Sequence, residues 1–422
     1  MSRYLDDPSA AKDTPPEGSG FLVVVDEEYK ERAASCCGLS WDRRVKGLPF
    51  PQSRQLALKH SHSTSSLEAV ETGVEFLSAV LECALNASGG GGGGGSGGRA
   101  SAPTDWVVFV PVVGHSLSSG RYYVVQADGK HTGKVFACSK EEDKSSCCCC
   151  TFVSDVKPRP FDSGDAYQQM AVEPTYGGKK RTFRADAVAT DGIPPKFLRK
   201  KGWSVSISGY KYELADDAQG VDDALRRRTP PNLDDVVVVG KWYVPSIFVR
   251  ADGALPRIKD QAKKSMFYEM TLEQSWEKIF YQVGNDADGN KKEVAVTATV
   301  RRRTASLGGT GLQAGSPRVE GGTVWFRPAS SAARAAVGLD KVVWERMEWE
   351  AAREGWRVPA GAADGEERIQ RVEKHCDAGG MGKWSQFACY VLLERFVLRR
   401  MDRSVALACE FRHTNKIRTN WA

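Results

Sequence analysis

An α+β fold of predominantly antiparallel β-sheets with a few packed amphipathic helices is what the sequence predicts, on three observations. Strand-like runs lie near both ends of the chain, at Phe21 to Val25 and from Phe387 to Phe411. A hairpin signal stands between them, where Arg121 to Gln126 and Lys134 to Cys138 flank Asp128-Gly129. Only a few segments carry the period of an amphipathic helix. With 422 residues the chain has length for one compact multi-sheet unit or two closely packed domains from residue 21 onward. Residues 1–20, rich in Pro, Ser, Gly and Asp, are expected to be disordered.

In chain order, Phe21 to Val25 reads as a strand, and Leu56, Leu58 and His60 alternate as in a second. Ser65 with Glu68 fits a capping box for a helix whose stripe is Leu67, Val70, Val74, Leu77, Leu81 and Leu85. Residues 88–104 read as a Gly-rich linker: the tract Gly89 to Gly95 lacks the Gly-Lys-Ser/Thr ending of a phosphate loop. Trp106, Val108 and Val110 alternate, and after the hairpin Cys147 to Val153 is a further strand segment. Pro194-Pro195 starts a short helix that Gly202 ends, and Trp203, Val205 and Ile207 alternate after it.

The densest local agreement runs from Asp235 to Val283. Val236 to Val239, Trp242, Tyr243, Val244 and Ile247 to Val249 describe a buried strand, kinked or at an edge because Pro245 has no N–H to donate. Ala262, Met266 and Met270 then fall four apart, and Leu272, Trp276, Ile279, Phe280 and Val283 share one helical face. Thr271 with Gln274 fits a capping box, so two helices are expected to meet near Thr271, with Trp276 in the core. Flexible loops are expected at 301–322 and 359–382. The helix between them carries Val342, Trp349 and Trp356 on one side and Trp344, Met347 and Ala351 on another. The chain closes with strands from Phe387 to Leu398 and from Val405 to Phe411, joined by a turn at Met401 to Ser404.

The net charge of +6 is a small imbalance between large numbers of both signs, so nucleic acid is not the expected partner. No membrane span is visible: Val107 to Val113 contains Pro111 and is far short of the ~20 apolar residues a span needs. Phe21 to Val25 is too short for a signal-peptide core. A cytoplasmic location is expected, with the eleven cysteines reduced.

Candidate chemistry is sparse. Consecutive cysteines at Cys147 to Cys150 would point to alternate faces of a strand, so a tetrahedral metal would need Cys36 or Cys37 as well. His60 and His62 share a strand face with no carboxylate nearby, and His115, His131, His375 and His413 stand alone. Gly309-Thr310-Gly311 lacks the strand and helix that a dinucleotide fingerprint requires, and reads as loop. No metal or cofactor is therefore expected, and no catalytic residue is identified. The basic segment of Lys179, Lys180, Arg181, Arg184, Lys196, Arg199, Lys200, Lys201 and Lys211 is the candidate anion-binding surface, with Lys196, Arg199, Lys200 and Lys201 as its site. Phe183, Phe197, Trp203, Tyr210 and Tyr212 are interleaved with it, either as stacking platforms or as core beneath a solvated face.

Longer motifs resemble the plant domain-of-unknown-function family 1262. They include DPSAAKDTPPEGSGFLVVVDEE from Asp7, VKGLPFPQ from Val45, SSGRYYVV from Ser118, VKPRPFD from Val156 and DGIPPKFLRKKGW from Asp191. VVVGKWYVP from Val237, KKSMFYEMTLEQSWEKIF from Lys263, WERMEWE from Trp344 and FRHTNKIR from Phe411 continue the match through most of the chain. The resemblance implies a plant origin and a shared fold, and brings no activity, cofactor or catalytic residue with it. A non-catalytic binding role, with a protein among the conceivable partners, is the expectation that remains. An enzyme of unidentified class, and a binder of anionic ligands or nucleic acid through residues 179–211, are the alternatives.

Overall fold

Pairs of apolar residues two apart, on six successive strands, organise the N-terminal part of the chain. The computed structural model describes residues 43–52, 54–59, 104–115, 119–147, 150–177, 180–199, 202–211, 218, 220–251, 258–284, 293–329, 336–356, 365–375 and 384–422. The expected strand at Phe21, Cys36 and Cys37, His60 and His62, the helix at Leu67 to Leu85 and all of the Gly-rich linker at 88–104 except its last residue, Thr104 of the third strand, lie outside the described residues. The chain divides into two units, one at 25–213 and one that includes 214–422.

The N-terminal unit contains β1 (Arg44–Val45), β2 (Arg54–Lys59), β3 (Thr104–Pro111), β4 (Arg121–Gln126), β5 (Lys144–Cys147), β6 (Cys150–Val153), β7 (Gln169–Gly177), β8 (Lys180–Ala187), α1 (Lys196–Arg199) and β9 (Ser204–Lys211). Seven of the strands form an antiparallel sheet in the order β1-β9-β2-β3-β4-β7-β8. Edge strand β8 meets the residues that lead into β9: Phe183 N–H donates to Trp203 O at 2.9 Å and Gly202 N–H to Phe183 O at 3.2 Å, so β8 closes onto the start of β9 beyond the two-residue β1. This closure encloses an interior. Leu56 and Leu58, Val107 and Phe109, Tyr122 and Val124, Met170 and Val172, Phe183 and Ala185, and Trp203 and Val205 fill it. Each pair is two apart because alternate strand side chains share a face. Phe50 packs among them, 4.5 Å from Phe109 and 4.9 Å from Phe183 between ring centroids.

The short helix and the strand after it stand where the sequence places them. Leu198 of α1 is fully buried and Gly202 follows at φ 87°, the left-handed conformation that ends a helix at low cost. The expected hairpin is half ladder: Gln126 N–H donates to Lys134 O and Phe136 N–H to Val124 O, yet 134–138 makes only isolated bridges. Cys147 and Cys150 end and begin the β5–β6 hairpin as cross-strand partners. Cys148 and Cys149 lie outside the described residues.

The C-terminal unit runs through β10 (Gly220–Val221), α2 (Asp223–Arg228), β11 (Val237–Pro245), β12 (Val249–Ala251), α3 (Ile258–Lys264), β13 (Phe267–Val283), β14 (Glu293–Arg301), β15 (Arg303–Leu307), β16 (Thr310–Gly311), β17 (Arg318–Glu320), β18 (Thr323–Phe326), β19 (Val337–Asp340), α4 (Lys341–Arg353), β20 (Glu366–Lys374), β21 (Gln386–Arg399) and β22 (Val405–Trp421). A seven-stranded antiparallel sheet, β10-β11-β13-β21-β22-β15-β16, is its frame. A four-stranded sheet, β12-β19-β18-β17, and a two-stranded one, β14-β20, complete it. Met347 of α4 and Leu339 of β19 converge on Met270, Phe396, Leu398 and Leu407, which covers one face of the large sheet. Antiparallel sheet therefore dominates, and among the described residues only α4 exceeds seven residues in helix. No described helix is long and apolar enough to cross a membrane.

Three expectations are corrected here. Residues 271–283 form not a helix but most of β13, a 17-residue strand hydrogen-bonded to β11 and β21 on either side. Leu272, Trp276 and Phe280 are four apart, an even spacing that fits a strand face as well as a helical stripe. Trp276 is half-buried rather than core, with its indole N–H donating to Pro230 O at 2.9 Å. The second correction concerns 301–322, which carries β15, β16 and β17, with Gly308 and Gly309 at φ 50° and 85° in the turn between the first two. The third is 359–382, which contains β20, paired in register with β14. Strings such as Glu-Glu-Arg-Ile-Gln-Arg read as loop because one face of that strand is almost wholly charged.

Candidate functional site

The two faces of the seven-stranded sheet differ in chemistry because β13, β21 and β22 alternate apolar and charged residues in phase. On the face beneath α4 lie Leu272, Phe396, Leu398, Leu407 and Phe411, all buried. On the other, β13 presents Glu269, Thr271, Glu273 and Glu277, while β21 presents Arg395 and Arg399. Glu273 lies between both arginines. Its Oε2 accepts from Arg395 Nη2 and its Oε1 from Arg399 Nη2, each at 2.8 Å. Burial pushes the Glu273 carboxyl up, but the hydrogen bonds from Arg399 and Arg395 outweigh burial and hold it below the ordinary carboxylate range. Glu269 is matched by Lys241 at 3.3 Å and Arg403 at 3.0 Å, and Arg412 serves both Glu277 and Glu410.

A groove of about 750 Å³ opens beside this ladder. Its floor and walls are Leu307, Val337, Val397, Val405, Ala406 and Ala408, and its polar lining is Ser306, Arg395, Arg399, Arg400 and Ser404, with Gly308 and Gly309 at the β15–β16 turn. The volume falls in the roughly 300–1,000 Å³ range of small-molecule sites. Arg400 Nη1 donates to Ser404 Oγ at 3.3 Å, and Ser404 Oγ in turn donates to Asp402 Oδ1 at 2.5 Å. No histidine, cysteine or carboxylate stands among the described lining residues, so the groove has cations and hydroxyls but no acid–base pair.

A second cluster lies under the opposite face and is closed to solvent. Arg226 of α2, Glu394 of β21 and His413 of β22 are each 0% exposed. Arg226 grips Glu394 bidentately, Nε to Oε1 and Nη2 to Oε2, both at 2.7 Å. His413 Nε2 lies 3.0 Å from Glu394 Oε2, and Gln274 Nε2 donates to Oε1 at 2.9 Å. Burial pushes the Glu394 carboxyl up, yet the hydrogen bonds from Arg226 and His413 hold it far below the usual range. This cluster has the components of acid–base chemistry, but its three side chains are closed to solvent and tie α2, β21 and β22 together.

The residues singled out from sequence are scattered. Lys196 is exposed at the start of α1, with its N–H donating to Asp155 Oδ2 at 2.8 Å. Arg199 pairs with Asp155 at 3.7 Å, and Arg184 with Glu173 and Asp186 at 3.1 and 3.3 Å. Lys179, Lys200, Lys201 and Tyr212 lie outside the described residues. Phe183 and Trp203 are barrel core, and Phe197 packs against that core, so these three aromatics are not stacking platforms. His115 lies 3.4 Å from Arg121, with its pKa lowered by burial and that guanidinium; His375 stacks on Trp421 at 4.9 Å. Among the described residues no three His, Cys, Asp or Glu side chains are grouped to hold a metal. The ladder carried a signal that sequence reading passed over: Glu269, Glu273 and Glu277 are four apart on β13, and so are Arg395 and Arg399 on β21. Two such series on adjacent strands make a ladder of ion pairs.

Residues 16–149 match the model of a family described as Protein of unknown function (DUF1262). No curated protein matches the sequence. Among solved structures, the crystal structure of Cry35Ab1 is similar at a TM-score of 0.41 and 11% identity, covering 75% of this chain and 80% of that one.

Proposed function

We propose that this chain is a non-catalytic binding protein and that its C-terminal unit binds in the groove between the β15–β16 turn and the β21–β22 strands. One observation carries the reading: an apolar floor of ligand-site volume is edged by three arginines and two serines, with no nucleophile–base pair among its described lining. Such a surface recognises a molecule with an apolar body and polar groups at its margin, and offers nothing to turn it over. Work in the cytosol of a plant cell belongs to the same reading. It is supported by the sequence motifs that resemble the plant family and, among the described residues, by Cys138, Cys389 and Cys409, which are free and buried.

The test is a fluorescence titration of the full chain with 1-anilinonaphthalene-8-sulfonate, which joins an apolar body to one anionic group. Saturable binding at one site per chain is expected. Ala408→Trp, which places an indole on the floor of the groove, should abolish the signal while the far-ultraviolet dichroism is unchanged. Undiminished binding by a folded Ala408→Trp variant would place the ligand site elsewhere.

A further inference from the structure

The sheet face that buries Leu272, Phe396 and Glu394 changes character further along the same strands. Alternation brings Trp276 and Lys278 of β13, Tyr390 of β21 and Arg418 of β22 to one surface, with Lys278 opposite Tyr390 and Tyr390 opposite Arg418. Tyr281 joins them past the irregularity between Lys278 and Phe280. Lys278 Nζ lies 5.3 Å from the centroid of the Tyr281 ring and 5.9 Å from that of Tyr390, and the Arg418 guanidinium lies 5.9 Å from that of Trp276. The cations thus stand near the limit of about 6 Å for a cation–π contact, and Tyr281 remains 49% exposed.

Backbone carbonyls hold one side of this patch. Pro230 O accepts from the Trp276 indole N–H at 2.9 Å and from Arg418 Nη1 at 3.2 Å, and Pro231 O accepts from Arg418 Nη1 at 2.7 Å. The chain reaches these prolines through Thr229 at φ 55°, a conformation rare for a β-branched residue. Carbonyls orient the guanidinium without neutralising it. Acids of the adjoining elements are engaged elsewhere: Glu394 with Arg226, Glu354 with Lys416, Asp223 with Arg353, and Asp235 with Asn232. Among the described residues neither Lys278 nor Arg418 makes an ion pair, and Asp234, exposed in the same loop, pairs with neither.

Two unpaired cations among three aromatic rings on an open sheet suit a partner that repeats negative charge and flat π faces. Single-stranded nucleic acid has both, because each phosphate is followed by an unstacked base, and base–aromatic stacking tolerates any sequence. A bilayer fits less well: Trp276 and Tyr390 are half-buried in the sheet, so they can be covered but cannot be inserted among acyl chains. We infer that this patch binds single-stranded nucleic acid, with bases on Tyr281, Tyr390 and Trp276 and phosphates at Lys278 and Arg418. It shares no residue with the lining of the groove, so neither binding claim depends on the other.

Fluorescence anisotropy of a labelled oligouridylate titrated with the full chain tests this, beside the same sugar–phosphate strand without bases. The oligouridylate is expected to bind at least about tenfold tighter than the abasic strand, the worth of one stacked base. Tyr281→Ala and Lys278→Gln change exposed side chains and should leave the melting temperature as it is. Tyr281→Ala should weaken the oligouridylate about tenfold and leave the abasic strand unchanged. Lys278→Gln should weaken both and reduce the slope of log affinity against log salt by ~0.7, the share of one phosphate contact on a single strand. Flotation with phosphatidylcholine vesicles containing phosphatidylserine runs in parallel. Vesicle binding without oligouridylate binding, lost in Tyr281→Ala, overturns the inference in favour of a membrane surface. Equal affinity for the oligouridylate and the abasic strand overturns the stacking and reduces the patch to charge. Oligouridylate binding that is the same in wild type and both variants overturns the assignment of the site, and no binding by wild type overturns the inference altogether.

Discussion

Arg226→Met is expected to lower the stability of the C-terminal unit by about 3–5 kcal/mol, the cost of leaving a buried charge without its partner. Arg226 reaches from α2 to Glu394 in the middle of β21, and neither side chain meets solvent. Removing the guanidinium leaves the Glu394 carboxylate with His413 and Gln274 alone, and removes the hydrogen bond to Glu350 O at 2.9 Å that ties α2 to α4. Arg226→Met combined with Glu394→Leu should recover part of the loss, because no orphaned carboxylate remains. Urea denaturation followed through the unfolding of the C-terminal unit measures both. The pair also sets a pH dependence. The Glu394 carboxyl is held far below its unfolded value of 4.5, so its contribution is fully present above pH 4.5 and is lost as pH falls towards its folded pKa. Wild type should therefore lose stability more steeply below pH 4.5 than the double variant does. Parallel acid curves would contradict the role assigned to the pair.

Trp203→Ala is expected to cost the N-terminal unit about 3–5 kcal/mol. The ring is 1% exposed and stands where the sheet closes. It lies parallel to Phe109 at 6.2 Å and against Phe183 at 5.4 Å, while its indole N–H donates to Leu198 O at 2.8 Å. Truncation thus opens a cavity in the barrel and leaves a carbonyl of α1 without its donor. Trp203→Phe keeps most of the volume and should cost less. The measurement is hydrogen exchange of the β8 and β9 amides, which report this unit alone; full protection in Trp203→Ala would contradict the closed barrel.

Local signals made part of this fold legible and misdirected another part. Strands with one apolar face, such as β3 with Val107 and Phe109 or β9 with Trp203 and Val205, were readable because period two is unambiguous over a short run. Helix α4 was readable because Trp344, Met347 and Ala351 repeat at helical spacing, and all three are buried. β13 was not. Residues Phe267 to Gln274 are buried on both faces, one by α4 and its neighbours and the other in part by arginine side chains that cover Glu269 and Glu273. The run therefore lacks alternation, and apolar residues spaced by four look helical. What decides for a strand is pairing with β11 and β21, a partnership remote in sequence. The groove was illegible for a related reason: Ser306, Val397 and Ala408 belong to three strands and meet only through register. The basic segment at 179–211 drew attention because its charges are contiguous in sequence. Contiguity did not keep them free: Arg184 and Arg199 are paired with acids from other segments.

Hydrogen–deuterium exchange of the full chain, with and without saturating 1-anilinonaphthalene-8-sulfonate, tests the binding role at its proposed place. The groove account predicts slower exchange confined to peptides covering Ser306 to Gly309, Arg395 to Arg400 and Ser404 to Ala408, the segments that line it. Protection confined to other peptides, or exchange unchanged throughout while the probe is bound, would contradict it.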